Sequence, residues 1–263
     1  MQIDPLAQTF DGAAGAYEEG RPDYPGAAID RVAAELGLGP ESVVVDLAAG
    51  TGKLTRGLVG RFGRVIAVEP LEGMLAQLRQ SLPEVEAHVG RAEEIPLEDG
   101  LADAVFCGQA FHWFANSEAL AEIARVLRPG GGLALIWNIS PWETREGPWF
   151  AALDDLLEGS RADLSVVRRH GSGVWRQVFE GDELFEELQG DGYEHSHRLT
   201  REAFVATMKS RSYIATLSAE DRAEVLEAIG LLMDRKDSPF ADEVSEGEVP
   251  LRTVVFWTRL RGD

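Results

Sequence analysis

Short apolar runs alternate with helical patterns through the first half of the chain. The runs that predict strands span residues 42–47, 64–68, 85–90, 102–108 and 133–138. Apolar residues three or four positions apart predict helices at 25–38, 52–62, 70–80 and 117–127. The strand runs lack polar alternation, which is typical of strands covered on both faces. Because strands and helices alternate, this half predicts an α/β fold with a doubly wound, mostly parallel sheet and right-handed crossovers.

The second half has a weaker pattern. Residues 141–185 show no regular period and are rich in tryptophan. The elements predicted further along are a strand at 193–199, helices at 200–217 and 219–234, an acidic loop at 237–248 and a last strand at 253–260.

These patterns predict three stretches. Residues 1–140 form the α/β core, and 241–263 supply its final strand. Residues 141–240 form a mostly helical lid over a substrate, with one core strand near 193–199. Loops and caps of this kind carry specificity, because they vary on a constant scaffold.

Charge and composition narrow the classes of partner. The chain of 263 residues has 25 Lys and Arg against 45 Asp and Glu, a net charge of −20. This balance, without a basic cluster, argues against a nucleic-acid partner, whose phosphates require Lys and Arg. No segment approaches the ~20 apolar residues of a membrane helix, and no secretory signal is evident, so we expect a cytoplasmic monomer or homodimer without a membrane partner. The single cysteine, Cys107, excludes an intrachain disulfide, and we expect it to be buried and inert.

A run of small residues follows the first predicted strand. Asp46 lies at the end of this strand, and Ala48, Gly50 and Gly52 let a ligand approach the backbone closely. In a doubly wound sheet, ligands bind at the carboxyl ends of the strands, where the next helix also directs its free N–H groups. We therefore expect a nucleotide-type cofactor at this turn.

Three cofactors compete for the turn. A Walker loop requires Ser or Thr after Gly-Lys, and Leu54 stands there instead. A dinucleotide turn requires Gly or Ala where the chain has Thr55, which disfavours an NAD-linked oxidoreductase but leaves it open. S-adenosylmethionine has no pyrophosphate and needs no third glycine. Glu69, at the end of the second strand, is placed to accept hydrogen bonds from its ribose hydroxyls; a surface carboxylate is the alternative.

Five motifs follow one another along the chain. They are VVDLAAGTGKLT at 44–55, AVEP at 67–70, RAEEIPL at 91–97, QAFHWF at 109–114 and VLRPGG at 126–131. Together they resemble the class I S-adenosylmethionine-dependent methyltransferases of the type 11 small-molecule group, near the trans-aconitate methyltransferase-like proteins. The resemblance covers 10–138 and continues more loosely through 210–213 and 251–255. Ala48 replaces the usual first glycine of the turn.

The resemblance implies a Rossmann-like, seven-stranded sheet whose last strand is an antiparallel insertion. It also implies S-adenosylmethionine as the cofactor. The residues expected to contact it are Tyr17, Arg21, Asp46, Ala48, Gly50, Glu69, Pro70, Met74, Ala92, Glu93 and Gln109.

The resemblance implies a part for several of these residues. Glu93 would accept a hydrogen bond from the adenine amino group, with Ala92 near the ring and Met74 packed on the adenosine. Arg21 would pair with the carboxylate of the methionine tail, and Tyr17 would close over it. Each has an ordinary alternative: Glu93 as half of a solvated acidic pair, Met74 as a core residue and Arg21 as a surface cation.

His112 is the candidate catalytic residue. Methyl transfer is an in-line displacement at a carbon already activated by the sulfonium, so the protein mainly orients the acceptor. His112 follows the fourth strand and could deprotonate an acceptor; a histidine within an aromatic cluster is the alternative. We expect a small-molecule acceptor with an O-, N- or C-nucleophile, a carboxylate included. A non-catalytic protein that binds S-adenosylmethionine or S-adenosylhomocysteine is the second functional alternative.

Two further groups of residues remain open. One group of aromatic residues lines an acceptor pocket or packs in the core: Trp137, Trp142, Trp149, Phe150 and Trp175. His195 and His197 share one face of a predicted strand, but no third ligand is evident, so no metal site is expected.

Overall fold

A computed structural model describes residues 22–161, 173–241 and 245–262. Two of the expected cofactor residues, Tyr17 and Arg21, lie outside these ranges, so their roles stay predictions. Within these ranges no helix has the length and apolar character needed to cross a membrane.

The described residues form a seven-stranded sheet in the order β3-β2-β1-β4-β5-β7-β6. Its strands are β1 Val43–Leu47, β2 Arg64–Glu69, β3 Glu86–Val89, β4 Ala102–Gly108, β5 Leu127–Ile139, β6 Gln189–Leu199 and β7 Gly247–Arg259. Strands β1 to β5 pair in parallel. All five strands predicted in the first half of the chain are therefore confirmed.

Strand β7 runs antiparallel to its neighbour β5. Thr253 Oγ1 donates a hydrogen bond to Asn138 Oδ1 (2.5 Å) near the end of β5. At the other end of β7, the Leu260 N–H donates to the Gly131 carbonyl (2.8 Å) near the start of β5. Because β7 lies between β5 and β6, the sheet has the antiparallel insertion that the resemblance implied.

Helices connect the strands. They are α1 Gly26–Leu36, α2 Lys53–Leu58, α3 Glu72–Ser81, α4 Ser117–Val126, α5 Pro141–Thr144, α6 Pro148–Arg161, α7 Arg201–Lys209, α8 Ser212–Ala215 and α9 Ala219–Met233. Short 3-10 helices span Phe111–Trp113 and Val174–Phe179. Helix α2 is shorter than the expected 52–62 because Val59 adopts a non-helical ψ of 135°.

Part of the prediction for 141–185 was wrong. Helices α5 and α6 occupy a stretch that was expected to be irregular. The buried residues Trp149, Phe150, Leu153 and Leu157 recur every three or four positions in α6, and Pro148 suits its first turn. The interpretation weighed the tryptophan content instead of this spacing. Strands β6 and β7 also begin earlier than expected, at Gln189 and Gly247.

The chain forms two compact units. The sheet unit comprises the described residues within 23–138, 172–193 and 253–263. The helical unit comprises Pro22 and the described residues within 139–171 and 194–252.

The core of the sheet unit lies against buried strands. Nearly every residue of β1, β2 and β4 is buried, as expected for strands covered on both faces. Val44 of β1 and Phe106 of β4 pack with Ile29 of α1 and Leu58 of α2 on one of these faces. The single cysteine, Cys107, is fully buried, and this burial raises the pKa of its thiol well above its ordinary value.

The helical unit has its own aromatic core. Trp149 lies 5.9 Å from Phe204 between ring centroids, and its indole N–H donates to the Leu232 carbonyl at 2.6 Å. These residues belong to α6, α7 and α9, so one tryptophan joins three helices.

Asp103 fixes the start of three strands in the sheet unit. Its Oδ2 accepts a hydrogen bond from the Val43 N–H at 2.6 Å, and its carboxylate forms an ion pair with Arg128. The side chain is buried on β4, whereas Val43 begins β1 and Arg128 belongs to β5.

Removal of this carboxylate should destabilise the protein. Asp103→Ala leaves the Val43 N–H without its acceptor, which should lower the free energy of unfolding by about 2 kcal/mol. Denaturant unfolding measures the effect. Glu84→Ala removes an exposed carboxylate and should change stability by less than about 0.5 kcal/mol. Equal effects of the two substitutions would show that the bonds of Asp103 do not stabilise the sheet.

Candidate active site

The turn after β1 has three residues in the left-handed region. Ala48, Gly50 and Gly52 have φ angles of 58°, 59° and 93°. Glycine tolerates this conformation, whereas for alanine it costs about 1 kcal/mol. Backbone strain of this kind concentrates at functional sites, so the turn is a candidate ligand contact on conformational grounds as well as on composition.

Glu69 joins the turn after β1 to the loop after β2. Its Oε2 accepts a hydrogen bond from the Gly50 N–H (2.8 Å), and its Oε1 accepts one from the Leu71 N–H (3.0 Å). The residue is only 4% exposed. Its backbone carbonyl accepts a hydrogen bond from the Gly90 N–H (3.2 Å), at the start of the loop after β3, which we call the third loop. The sequence predicted that Glu69 lies at the carboxyl end of β2, but it did not predict the hydrogen bonds that hold the side chain there.

Asp46 lies beneath the turn as a buried carboxyl group. Its Oδ2 accepts a hydrogen bond from Thr55 Oγ1 at 2.6 Å, and its Oδ1 has no hydrogen-bond partner among the described residues. Burial raises the pKa of Asp46 to about 7; the charge of Glu69 adds to the rise, and the Thr55 bond opposes it. Thr55 therefore supports the turn, a part that its sequence position did not reveal.

The third loop, residues 90–100, carries Ala92 and Glu93. Ala92 is buried, and Glu93 accepts a hydrogen bond from the Asn116 amide at 3.2 Å and lies 3.5 Å from the Arg91 guanidinium. The same Asn116 caps helix α4 by accepting from the Ala119 N–H. Glu93 is thus held by two side chains of the sheet unit and is not a freely solvated carboxylate.

Arg125 of α4 holds the next part of this loop. Its guanidinium donates to the carbonyls of Ile95 and Leu97, both at 2.8 Å. It also donates to both carboxylate oxygens of Glu122 at 2.7 Å, and Glu122 in turn accepts from the Ile95 N–H. The loop has no regular pattern of backbone–backbone hydrogen bonds. These side-chain bonds to its backbone therefore fix its path.

The fourth loop carries Gln109 and His112. Gln109 has a φ of 59°, its N–H donates to the Ile136 carbonyl (2.8 Å), and its side-chain amide donates to the Asn138 carbonyl (3.0 Å). His112 lies in the 3-10 helix that follows, half-buried, with its ring 5.0 Å from the ring of Trp113. Gln109 is thus anchored to β5, and His112 lies in an aromatic environment.

The sequence interpretation missed the segment just before α1. Asp23 Oδ1 lies 3.3 Å from Lys53 Nζ, and the Asp23 carbonyl accepts from the Asn138 amide at 3.3 Å. A Cβ atom on Gly108 would lie 2.7 Å from the Tyr24 hydroxyl, so this tyrosine crosses the end of β4. Such contacts join residues far apart in the chain, and no local pattern signals them.

The structure brings most of the predicted cofactor residues to one edge of the sheet unit. Met74 Sδ lies 3.7 Å from where a Cβ of Gly50 would be, so Met74 of α3 borders the turn, and Pro70 follows Glu69 directly. The parallel order β3-β2-β1-β4 places Asp46, Glu69, the third loop and Gln109 at successive carboxyl ends. Within the described part of the chain, no group of three or more His, Cys, Asp or Glu could hold a metal ion.

The candidate pocket aromatics fall into two separate cores. All five are at most 7% exposed. Trp137 stacks on Trp175 in the sheet unit, with ring centroids 4.7 Å apart. Trp142, Trp149 and Phe150 pack in the helical unit. Each ring is therefore a core side chain of its own unit.

Comparison with known proteins identifies the family. The model of the methyltransferase domain family matches residues 45–135. An uncharacterised methyltransferase from Mycobacterium tuberculosis (strain H37Rv) is 40% identical over 230 residues, covering 87% of this chain and 86% of the relative. One from Schizosaccharomyces pombe is 34% identical over 253 residues, covering 95% and 96%.

The chain belongs to this methyltransferase family. It is an S-adenosylmethionine-dependent methyltransferase of class I. A shorter stretch of the methyltransferase is similar to a malonyl-[acyl-carrier protein] O-methyltransferase from Methylococcus capsulatus. The two are 41% identical over 101 residues, which cover 36% of this chain and 37% of the relative.

Solved structures share the fold of the methyltransferase. A candidate type II methyltransferase from Anaeromyxobacter dehalogenans has a TM-score of 0.64 at 23% identity, covering 92% of this chain and 97% of that one. A phosphoethanolamine N-methyltransferase from Haemonchus contortus, in complex with phosphomonomethylethanolamine and S-adenosylhomocysteine, has a TM-score of 0.53 at 15% identity, covering 100% and 61%. At these identities the likeness concerns the fold alone.

The buried carboxyl of Asp46 predicts a pH-dependent stability. Its pKa is higher in the folded chain than in the unfolded chain, so the folded state binds the proton more tightly. The stability linked to this proton is full below about pH 4 and is lost as the pH rises through about 7. Asp46→Asn does not titrate. The melting temperature of this variant minus that of the wild type should therefore increase by a few degrees as the pH rises from 5 to 8. Thermal unfolding of both proteins across this range measures the difference, and a constant difference would contradict the raised pKa.

Proposed function

We propose that the methyltransferase binds S-adenosylmethionine at the carboxyl ends of β1 to β4 and transfers its methyl group to a small-molecule acceptor. The observation that carries this proposal is the carboxylate of Glu69, held by backbone N–H groups from the loops after β1 and β2. A carboxylate oxygen can accept more than one hydrogen bond at a time. Glu69 can therefore accept from the ribose hydroxyls while it keeps the loops together.

The other cofactor contacts follow from the order of the loops. Glu93 accepts from the adenine amino group, Ala92 borders the ring, and Met74 and Pro70 pack on the adenosine. Asn116 and Arg91 support this part for Glu93, because they hold its carboxylate in place from one side.

The methionine tail lies over the turn after β1. The small residues Ala48 and Gly50 admit it, and Gln109 borders it from β4. The ammonium and sulfonium charges of the cofactor favour the ionised form of Asp46, whose pKa of about 7 leaves it easily ionised. Tyr17 and Arg21, outside the described residues, remain the predicted contacts of the tail, with Arg21 expected to pair with its carboxylate.

The reaction is a displacement at the methyl carbon. A lone pair of the acceptor forms the new bond as the sulfur–carbon bond breaks, leaving S-adenosylhomocysteine and the methylated acceptor. An acceptor that holds a proton loses it to His112, whereas a carboxylate needs no base. The O-methyltransferase relative supports an oxygen nucleophile among the O-, N- and C-acceptors. Residues 141–240 as a lid, the cytoplasmic location and the monomeric or dimeric state stay predictions.

Substitution of Glu69 tests the cofactor site. Calorimetric titration should show binding of S-adenosylmethionine and S-adenosylhomocysteine, and none of NAD. Glu69→Gln loses a charged acceptor and should weaken binding about 10- to 100-fold, as expected for hydrogen bonds to a charged group. Glu84→Gln, on an exposed carboxylate, should leave the affinity unchanged. Unchanged affinity in folded Glu69→Gln would show that Glu69 does not bind the ribose hydroxyls. Binding of NAD by the wild type would contradict the assignment of S-adenosylmethionine as the cofactor.

Substitution of His112 tests the base. With methyl-labelled cofactor and pooled small metabolites, the wild type should transfer label to an acceptor. His112→Ala should lower kcat about 100-fold or more for an acceptor that must lose a proton, with little change in cofactor affinity. Full activity of this variant on a hydroxyl or amine acceptor would show that His112 is not the base.

A further inference from the structure

A polar group lies within the buried aromatic core of the helical unit. Arg211, just after α7, stacks on the ring of Trp142 of α5, with its guanidinium carbon 5.0 Å from the ring centroid. Its Nη2 donates to Ser140 Oγ at 2.8 Å. Its Nη1 lies 3.9 Å from Glu143 Oε1, which is beyond hydrogen-bonding distance. We call Ser140, Trp142, Glu143 and Arg211 the Arg211 cluster.

Two buried donors of the Arg211 cluster have no acceptor. Among the described residues, neither the Trp142 indole N–H nor the Arg211 Nε–H makes a hydrogen bond, and both nitrogens are buried. The Trp142 side chain is only 2% exposed. A buried donor without an acceptor destabilises the folded state relative to one that has an acceptor. A sequence that keeps two such donors on residues in contact gives up stability in the free protein.

Trp149 shows that this core can provide a hydrogen-bond acceptor for a buried indole N–H. It is also 2% exposed and belongs to the same core, and its N–H donates to the Leu232 carbonyl at 2.6 Å. The two tryptophans therefore differ in partner and not in burial. The missing acceptor at Trp142 is a property of the Arg211 cluster and not of the aromatic core as a whole.

We propose that the Arg211 cluster is a recognition site for an anionic oxygen group, a carboxylate or a phosphate, of a small ligand. Both unused groups are N–H donors, so the partner must present oxygen acceptors. One donor belongs to a guanidinium, whose planar fork matches the oxygens of carboxylate and phosphate. The stacked indole fixes the plane of that fork and adds a second donor beside it.

Glu143 does not use the capacity of the Arg211 guanidinium to donate hydrogen bonds to a ligand. Its Oε2 accepts a hydrogen bond from the Ser140 N–H at 3.2 Å, which directs the carboxylate to the start of α5. The guanidinium has five N–H donors, and in the described residues its one hydrogen-bond acceptor is Ser140 Oγ. The ligand thus meets an arginine that is already oriented, with its Nε edge unused.

The site lies wholly within the helical unit, so its test does not depend on the cofactor site. Calorimetry and thermal unfolding of the full chain with glutarate, inorganic phosphate and the uncharged diamide glutaramide, at matched ionic strength, identify the ligand class. We expect glutarate or phosphate to bind and to raise the melting temperature, and glutaramide to do neither. The anion that binds more tightly assigns the group as carboxylate or phosphate. No binding of either anion, or equal binding of glutaramide, would overturn the proposal.

Two matched variants separate recognition from structure. Trp142→Phe keeps the ring and removes the unused N–H, so the free protein should be at least as stable as the wild type. Its affinity for the anion should nevertheless fall about tenfold. Trp149→Phe removes a satisfied N–H, so it should lower the melting temperature by several degrees and leave anion affinity unchanged. A Trp142→Phe variant that loses as much stability as Trp149→Phe, or that keeps full affinity, would assign Trp142 to packing alone.

Arg211→Lys provides a second check on the guanidinium. Lysine keeps the positive charge but lacks the planar fork and the Nε–H, so anion affinity should fall about tenfold or more. A cooperative thermal unfolding transition like that of the wild type confirms that this variant is folded. Wild-type anion affinity in Arg211→Lys would show that charge alone, and not the geometry of the Arg211 cluster, holds the ligand.

Discussion

The hydrogen bonds of Glu69 join the parts of the sheet edge that the proposed chemistry requires. A parallel sheet gathers the carboxyl ends of its strands, but the loops that leave those ends would otherwise be independent. Glu69 accepts one bond from the turn after β1 and one from the loop after β2, and its carbonyl receives the start of the third loop. One residue thereby couples three loops, two through its carboxylate and one through its backbone carbonyl, so a ligand that contacts Glu69 meets a surface that is already ordered.

Beneath this edge, the turn after β1 combines backbone strain with a buried carboxyl group. Ala48 adopts a conformation that glycine would adopt at lower cost, and Asp46 keeps an oxygen without a partner among the described residues. Both features lower stability, and both lie at the place where the proposed cofactor approaches the backbone. Natural proteins concentrate such local conflicts at functional sites, where binding offsets their cost.

The sequence predicted whatever depends on local pattern. The strands of the first half, the turn of small residues and the placement of Glu69 follow from apolar runs, glycine spacing and the rule for parallel sheets. Helix α6 was missed although its apolar spacing was present, because the tryptophan content of residues 141–185 was interpreted as a sign of irregular structure. The Thr55–Asp46 bond, the path of Tyr24 across β4 and the Arg211–Trp142 stack could not be predicted, because each joins residues whose proximity exists only after folding.

The burial of Cys107 has a practical consequence for experiments on this enzyme. It is the only cysteine in the sequence, its side chain is fully buried in β4, and its thiol has a raised pKa. Thiol reagents attack the thiolate and require access to the sulfur, so the folded chain has no readily reactive thiol. A cysteine introduced on an exposed loop could therefore carry a single fluorophore or spin label without any change to the native residue.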